Sequence, residues 1–299
     1  MSVTLLKKRV LNKLVRKSYW YNHIEFADCA KFWNHRTFGM DVVNLGSTSA
    51  LAAFDYSAYP QLKAANWAMA PQTSLADYEI LRNYSCYLRE GATVIIPLCP
   101  FTCLGGSKDY FSDKYYTVLD IASIPHASYI KKQLVMERKN NPFIYYPFMQ
   151  LFTRKPIQKQ VIWDEASLDK DAKMRMKSWM KEFGIIRFTD SLSLVNQDAY
   201  DDTVALIKRM VDFCCERNFR PVLVMPPVTK SLQEHFCTYL KKLCMDDFVL
   251  KVARNDVMFM DYFVDNRFTN EYFQNSFMLN SAGAKKFTEI VLKEAEVIK

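Results

Sequence analysis

Four short runs of apolar residues lie along the chain, each bounded by polar or turn-forming residues. They cover residues 42–45, 93–97, 221–225 and 257–261, and a weaker candidate covers residues 64–69. Each run is nearly continuous in hydrophobicity, as expected for strands that are covered by helices on both faces. The pattern therefore predicts short, buried strands of a parallel sheet.

Segments with apolar residues at helical spacing lie between these strands. We predict helices over residues 73–90, 199–218, 230–245 and 281–298, the first of which begins with Thr and Ser cap candidates and ends at Gly91. Strands that alternate with helices indicate the α/β class. The predicted fold is an open parallel sheet flanked by helices, a flavodoxin-like three-layer sandwich.

The loops that follow parallel strands are expected to gather at one edge of the sheet. In this class of fold the functional crevice lies outside the carboxyl ends of the strands. Four segments are predicted to meet there, although they are far apart in the chain. They are the Gly46-Ser47 turn and residues 97–103, 226–229 and 275–280.

The middle of the chain, residues 104–198, is less regular than the rest and is interpreted as an insertion that caps this edge or makes an oligomer contact. Its aromatic run over residues 141–152 favours packing, with a membrane-facing or ligand-stacking role as the alternative. The predicted domains are a basic helical extension over residues 1–40 and one α/β domain over residues 41–299.

The net charge of +8 is unevenly distributed along the sequence. Residues 1–20 contain six Lys or Arg residues and no acid, with apolar residues spaced roughly as in a helix. Such a helix suits contact with an anionic membrane surface, or it docks on its own domain or on a partner subunit. Nucleic acid is not expected, because no known motif or aromatic and basic groove accompanies the charge. A homo-oligomer is a further possibility.

The eight cysteines lie mostly in apolar settings and lack zinc-finger spacing. We interpret them as reduced thiols, and Cys99 and Cys103 as core and loop residues rather than half of a metal site. Neither a metal nor a cofactor is predicted. No apolar run reaches the length of a membrane span, and the first residues lack a secretory h-region. The expected location is cytoplasmic, with peripheral attachment to the inner membrane face as a possibility.

The first candidate site segment is Asp41-Val-Val-Asn-Leu-Gly-Ser-Thr-Ser49, in which a buried strand leads into a Gly-Ser turn. Gly46 permits a tight turn, and Ser47 can project as a nucleophile at the start of a helix. Backbone N–H groups at such a turn can support an oxyanion. The alternative is that Thr48 or Ser49 simply caps the following helix.

The second segment, Asn275-Ser-Phe-Met-Leu-Asn-Ser-Ala-Gly-Ala284, leads into the last helix. Together the two segments resemble the SGNH/GDSL hydrolase superfamily, and its bacterial polysaccharide-associated branch in particular. The resemblance places Ser47 at the nucleophile position, and Asn275 and Met278 at the positions of the aspartate and histidine. It also implies binding roles for Gly46, Thr48, Asn66 and Asn280. The activity it implies is hydrolysis or transfer of acyl esters of sugars and cell-surface polymers.

The chain departs from the family pattern where the chemistry is concentrated. A serine is a weak nucleophile unless a base removes its proton, and Met278 has no titratable group. Asn275 lacks the carboxylate charge, and Asn66 is only a weak substitute for the family's oxyanion asparagine. His126 and His235 are the histidines that we consider as replacement bases.

The resulting functional prediction is a catalytically impaired SGNH-like protein that binds an acylated sugar or a surface-polysaccharide intermediate. The alternative is an active serine esterase or O-acyltransferase that uses Ser47 with a relocated base.

Overall fold

The computed structural model describes residues 3–33, 37–146, 152–154, 163–187 and 192–298. The chain forms two compact units, each built from two stretches of sequence. The smaller unit comprises residues 1–36 and 110–159, and the larger unit comprises residues 37–109 and 160–299. The boundaries expected from the sequence, an extension over residues 1–40 and an insertion over residues 104–198, stay predictions.

The larger unit contains a five-stranded sheet in which every pairing is parallel. Its strands are β1 (Met40–Asn44), β2 (Ala64–Asn66), β3 (Leu88–Pro97), β4 (Arg220–Met225) and β5 (Met258–Asp261). They lie in the order β2-β1-β3-β4-β5. With helices flanking the sheet, this is the predicted α/β fold. The four main apolar runs coincide with β1, β3, β4 and β5, and of the weaker candidate at residues 64–69 only residues 64–66 form a strand.

The helices are numbered in chain order across both units. In the first part of the chain they are α1 (Val3–Lys17), α2 (Ala27–Trp33), α3 (Thr48–Ala53), α4 (Ser74–Tyr84), α5 (Thr102–Gly105), α6 (Tyr129–Asn140) and α7 (Pro142–Tyr145). They continue with α8 (Glu165–Phe183), α9 (Leu194–Glu216), α10 (Lys230–Gln233), α11 (Thr238–Lys241), α12 (Asp247–Val252) and α13 (Ser281–Glu294).

The prediction of one helix over residues 73–90 was wrong at its C-terminal end. Helix α4 ends at Tyr84, a 3₁₀ turn follows, and β3 has already begun at Leu88. Gly91 lies inside this strand with φ of 71°, rather than ending a helix. Leu88 pairs with Met40 of β1, so a contact distant in sequence decides the conformation of residues 88–90.

The prediction of one helix over residues 230–245 was also wrong, because the chain breaks after the first turn. The Thr229 side chain caps α10 by accepting from the Leu232 N–H. The Gln233 side chain then donates to the carbonyls of Val228 and Phe263, which ties the end of α10 to the loop after β5. The helical segment resumes at α11, continues through a π-helical turn and ends with α12.

The core of the larger unit follows from the alternation of side chains along the strands. Val42, Ile95 and Val222 share one cluster with Phe287 of α13. Their neighbours in the strands, such as Val43, point to the opposite face and are fully buried as well. Helix α9 packs against β4 and contacts α4 and α12. Burial on both faces explains why the strands are continuously apolar.

The smaller unit is helical, with an aromatic centre. Val15, Trp20 and Tyr21 are buried, and Phe26, Trp33, Phe143 and Tyr146 pack against them. Part of the predicted aromatic run therefore has a packing role, while its residues 147–151 lie outside the described residues. Within the residues that the structure describes, no helix combines the length and apolarity needed to cross a membrane.

Gly283 provides a test of the packing of α13. A Cβ atom on Gly283 would lie 2.2 Å from the Tyr272 carbonyl oxygen. We expect Gly283→Ala to lower the free energy of unfolding by about 3 kcal/mol, because the backbone must move. Gly184→Ala is the control, since its φ is 61° and no atom lies within 4 Å of the added Cβ. It should cost only about 1 kcal/mol. Urea unfolding measures both, and equal losses would contradict the proposed close contact.

Candidate functional site

The strand order places a topological switch point between β1 and β3, where the chain leaves the sheet in opposite directions. Ligands of open α/β sheets bind in the crevice at such a point, outside the carboxyl ends of the strands. Gly46 and Ser47 follow β1, and Cys99 lies in the loop after β3. Ser49 Oγ of α3 lies 2.6 Å from Cys99 Sγ, so the start of α3 contacts the loop after β3. The Ser47 turn thus lies at the expected position for a ligand site.

Gly46 is required by the geometry of this turn. Its φ is 112°, which side chains rarely adopt. A Cβ atom there would also lie 2.5 Å from Ala50 Cβ and 3.3 Å from Pro97 Cγ. The Gly46 N–H donates to Asp77 Oδ1 over 2.7 Å, so this donor already has a partner.

Ser47 occupies the N-cap position of α3 but does not use its hydroxyl to cap the helix. Its backbone is extended, with φ of −98° and ψ of −154°, and no side-chain capping bond forms. Instead, Ser47 Oγ accepts a hydrogen bond from the Gln72 N–H at 3.0 Å. Ser47 and Thr48 are both half-buried, and Thr48 is the first residue of α3. The hydroxyl at the predicted nucleophile position is therefore held by a backbone donor.

Asp77 is the buried anchor of the turn. Its Oδ1 accepts from the Gly46 N–H and from the Gln72 side-chain amide. Burial raises the pKa of Asp77 to about 7, although these two hydrogen bonds oppose the rise. Because Gln72 also donates its backbone N–H to Ser47, the Asp77 carboxyl holds both sides of the turn.

Cys99 does not supply a thiolate to the site at neutral pH. Burial raises its pKa to about 11, and the Asp77 charge acts in the same direction, while the bond with Ser49 opposes it. Cys103, which the sequence placed with Cys99, is a free and buried cysteine of α5. Within the described part of the chain, no group of three or more His, Cys, Asp or Glu side chains is arranged to hold a metal ion.

Asn66, the weak oxyanion candidate, is occupied by structural hydrogen bonds. Its Nδ2 donates to the carbonyls of Leu51 and Phe54, at 3.2 and 3.0 Å. Its Oδ1 accepts from Asn44 Nδ2 at 2.9 Å and from the Ala68 N–H at 3.0 Å. The side chain thus joins β1, β2 and the end of α3. An oxyanion role would require it to give up these bonds.

The segment before α13 is held by its own asparagines. Asn275 Oδ1 accepts from the N–H groups of Phe277 and Met278, at 3.1 and 2.9 Å. Asn280 caps α13 by accepting from the N–H groups of Ala282 and Gly283, both at 3.0 Å. These bonds shape the loop and begin the last helix. Among the described residues, Ser47 Oγ makes no hydrogen bond with Asn275 or Met278.

Of the two histidines weighed as replacement bases, His235 has an acidic partner. His235 Nε2 lies 3.1 Å from Asp169 Oδ1 of α8, which occupies one ring nitrogen. His126 belongs to the smaller unit and has φ of 52°. Within the part of the chain that the structure describes, the hydrogen-bond partner of Ser47 Oγ is a backbone N–H rather than an imidazole.

Helix α8 contributes contacts to the rim that the sequence did not reveal. Asp171 accepts from the Ser276 N–H at 3.0 Å and from its hydroxyl at 2.5 Å. The Arg175 guanidinium lies 4.3 Å from the centre of the Phe277 ring. A helix from the middle of the chain therefore holds the loop that carries the Asn275 and Met278 positions.

Trp179 of α8 extends this contact across the loops of other strands. Its ring lies 5.2 Å from that of Phe101, which follows β3, and 6.5 Å from that of Phe236, which follows β4. It also lies 5.9 Å from Phe277. Helix α8 thus covers the β3 and β4 side of the strand ends, while Ser47 follows β1.

Sequence reasoning missed Asp77, although one signal was present. Asp77 follows Ala76 and lies on the buried side of α4 together with Ile80 and Leu81. An acid among the apolar positions of a helix is costly unless it has hydrogen-bond donors. That position alone could have identified Asp77 as a group with a specific partner.

Comparison with models of known protein families found no match to the chain, and comparison with curated proteins found none either. What the fold and the site define is an α/β protein with a serine turn at the switch point of a parallel sheet. The likeness to SGNH hydrolases accordingly depends on the residues of the two end segments.

Asp77→Asn tests whether the buried carboxyl titrates as its surroundings indicate. The native carboxyl keeps its proton up to about pH 7, whereas its ordinary pKa is 3.8. Between these pH values the folded state binds more protons than the unfolded state. The free energy of unfolding therefore falls as pH rises from about 4 to about 7. The asparagine retains an Oδ1 acceptor for both donors and does not ionise. Between pH 4 and pH 7 we therefore expect the free energy of unfolding of the variant to fall by less than that of the unmodified chain, with a difference of up to roughly 4 kcal/mol.

Urea unfolding at one-unit intervals from pH 4 to pH 8 measures the effect. Asp198→Asn is the matched control, because Asp198 is exposed on α9. If the two variants show the same dependence on pH as the unmodified chain, Asp77 is not the titrating group.

Proposed function

We propose that this chain is an SGNH-hydrolase-like protein that binds an acylated sugar or surface-polysaccharide intermediate at the Ser47 turn without cleaving the ester. One observation carries the proposal: Ser47 Oγ is held by the Gln72 N–H, while the position of the family's base is Met278. The serine is thus positioned for contact with a ligand, but no described group is positioned to remove its proton.

The hydrogen bond at Ser47 has a direction that matters for its chemistry. The Gln72 N–H is a donor, so it occupies a lone pair of Ser47 Oγ and cannot accept the hydroxyl proton. A general base must accept that proton for the oxygen to attack a carbonyl. The Asp77 carboxyl accepts from Gly46 and Gln72 instead. The arrangement therefore supports recognition better than nucleophilic attack.

The same hydrogen bond leaves Ser47 with a useful role in binding. Because Ser47 Oγ accepts from Gln72, its own proton is available to an ester or sugar oxygen. The half-buried Thr48 hydroxyl lies next to it in sequence and adds a second group that both donates and accepts. A polar ligand with several oxygens, such as an acylated sugar, suits this pair.

The second candidate is an active serine esterase or O-acyltransferase. It is favoured by one observation, that the Ser47 hydroxyl is half-buried at the switch point and does not cap α3. Fluorophosphonate labelling followed by peptide mapping separates the two candidates. Stoichiometric adduct on Ser47 of the unmodified chain would establish the second candidate and exclude the first.

Restoring the two substituted family positions tests the proposed architecture directly. We expect Asn275→Asp with Met278→His to gain hydrolysis of p-nitrophenyl acetate by about 100-fold, because the base and its carboxylate return. Aspartate can also accept the two N–H groups that Asn275 now holds. The triple variant with Ser47→Ala is the control and should remain at background. Equal rates in the double and triple variants would show that Ser47 is not the nucleophile of an SGNH-like site.

Binding is tested by titration calorimetry with an O-acetylated oligosaccharide and its de-acetylated form. We expect Ser47→Ala to weaken binding of the acetylated form by about fivefold, the effect of one neutral hydrogen bond. Ser57→Ala is the matched control, because Ser57 is exposed elsewhere in the larger unit. Equal affinity for both oligosaccharides would contradict recognition of the acyl group.

A further inference from the structure

The smaller unit carries the net positive charge of the protein, whereas the larger unit is slightly acidic. Its two stretches, residues 1–36 and 110–159, contain 16 Lys or Arg and 5 Asp or Glu, a net charge of +11. The whole chain carries +8, so the larger unit is left with −3. Only the part of this excess in residues 1–20 stands out along the sequence, because a more acidic stretch separates it from the contribution of residues 110–159. Folding brings them together.

Helix α1 presents an apolar pair to solvent among these charges. Asn12 and Val15 are buried on its inner side. Val10 and Leu14, one turn apart, are exposed to 51% and 52%. Because a helix has about 3.6 residues per turn, Val10 and Leu14 lie opposite the buried side, beside the exposed Lys13 and Lys17. The apolar residues seen in the sequence thus form two faces, of which only one is used for packing.

Helix α6, from the other stretch of the unit, shows the same arrangement. Val135 is buried, whereas Ile130 and Leu134 are exposed to 74% and 50% and lie one turn apart. Large exposed apolar side chains at this spacing on two helices exceed what isolated surface residues explain.

The two helices are joined at the end of α6. Asn12 Nδ2 of α1 donates to Asn141 Oδ1 at 3.3 Å, and Asn12 Oδ1 accepts from the Phe143 N–H at 2.9 Å. The next residues of α7, Ile144 and Tyr145, are exposed as well. The exposed apolar pairs therefore belong to one packed helical body with a large excess of cations.

From this body we propose that the smaller unit binds the surface of an anionic phospholipid membrane, with the exposed pairs of α1 and α6 entering the headgroup region. Lipid phosphates complement the net positive charge, and the acyl boundary accommodates Val, Leu and Ile side chains. A nucleic acid would complement the charge but would gain nothing from these apolar pairs. The inference does not depend on the proposed function of the Ser47 turn.

Vesicle flotation tests the charge. The purified 299-residue chain is mixed at 0.1 M salt with vesicles of phosphatidylcholine alone or of phosphatidylcholine and phosphatidylglycerol at three to one. We expect binding to the anionic vesicles only, and about tenfold weaker binding for Lys13→Glu with Lys17→Glu. Lys177→Glu with Lys208→Glu is the matched control, since it changes the charge equally at exposed sites of the larger unit. It should bind within twofold of the unmodified chain.

A second pair of variants tests the apolar groups and the contribution of both helices. Val10→Ser with Leu14→Ser and Ile130→Ser with Leu134→Ser should each weaken binding to the anionic vesicles by about tenfold or more. Leu194→Ser with Leu250→Ser is the control, because both leucines are exposed in the larger unit. Circular dichroism establishes that each variant is folded.

Three results would overturn the proposal. The first is no flotation with the anionic vesicles, and the second is an equal loss of binding in the control variants. The third is binding to duplex DNA, measured in the same buffer, without binding to vesicles, which would assign the charge to nucleic acid.

Discussion

The Asp77 carboxyl is the group on which the geometry of the candidate site depends. Its burial would be costly without donors, and it has two, the Gly46 N–H and the Gln72 side-chain amide. The first fixes the turn after β1, where φ of 112° requires glycine. The second fixes Gln72, whose N–H in turn holds Ser47 Oγ. Ser47 is therefore positioned by a buried group that does not itself contact the hydroxyl.

The sheet could be predicted because its signal is local. Strands buried on both faces are apolar throughout, and the runs at residues 42–45 and 221–225 needed no knowledge of their neighbours. Element ends were less predictable, because distant contacts decide them. Gly91 is compatible with a helix end or with a strand at positive φ. The pairing of Leu88 with Met40 determines that it lies in a strand.

The site shows the same division between local and distant information. The Gly46-Ser47 turn was predicted from adjacent residues, whereas its partners Gln72 and Asp77 lie 25 and 31 positions from the residues they bind. The full charge of the smaller unit was hidden for the same reason, since residues 1–36, whose basic segment the sequence did show, combine with residues 110–159 only in the folded chain. Local sequence patterns indicate an amphipathic helix or a turn. They do not indicate a cluster of residues that comes from separated stretches of the chain.

The structure also separates two kinds of residue among those to which the SGNH resemblance assigns a position. Asn280 caps α13, Gly283 lies against the Tyr272 carbonyl, and Asn66 joins three elements, so each has a folding role that needs no catalysis. Met278 differs, because the side chain that the family has there is valuable for its basicity. The resemblance is thus strongest at residues whose identity the fold explains. It is weakest at positions whose identity only catalysis would explain. A protein with the binding role proposed above would be expected to show this distribution.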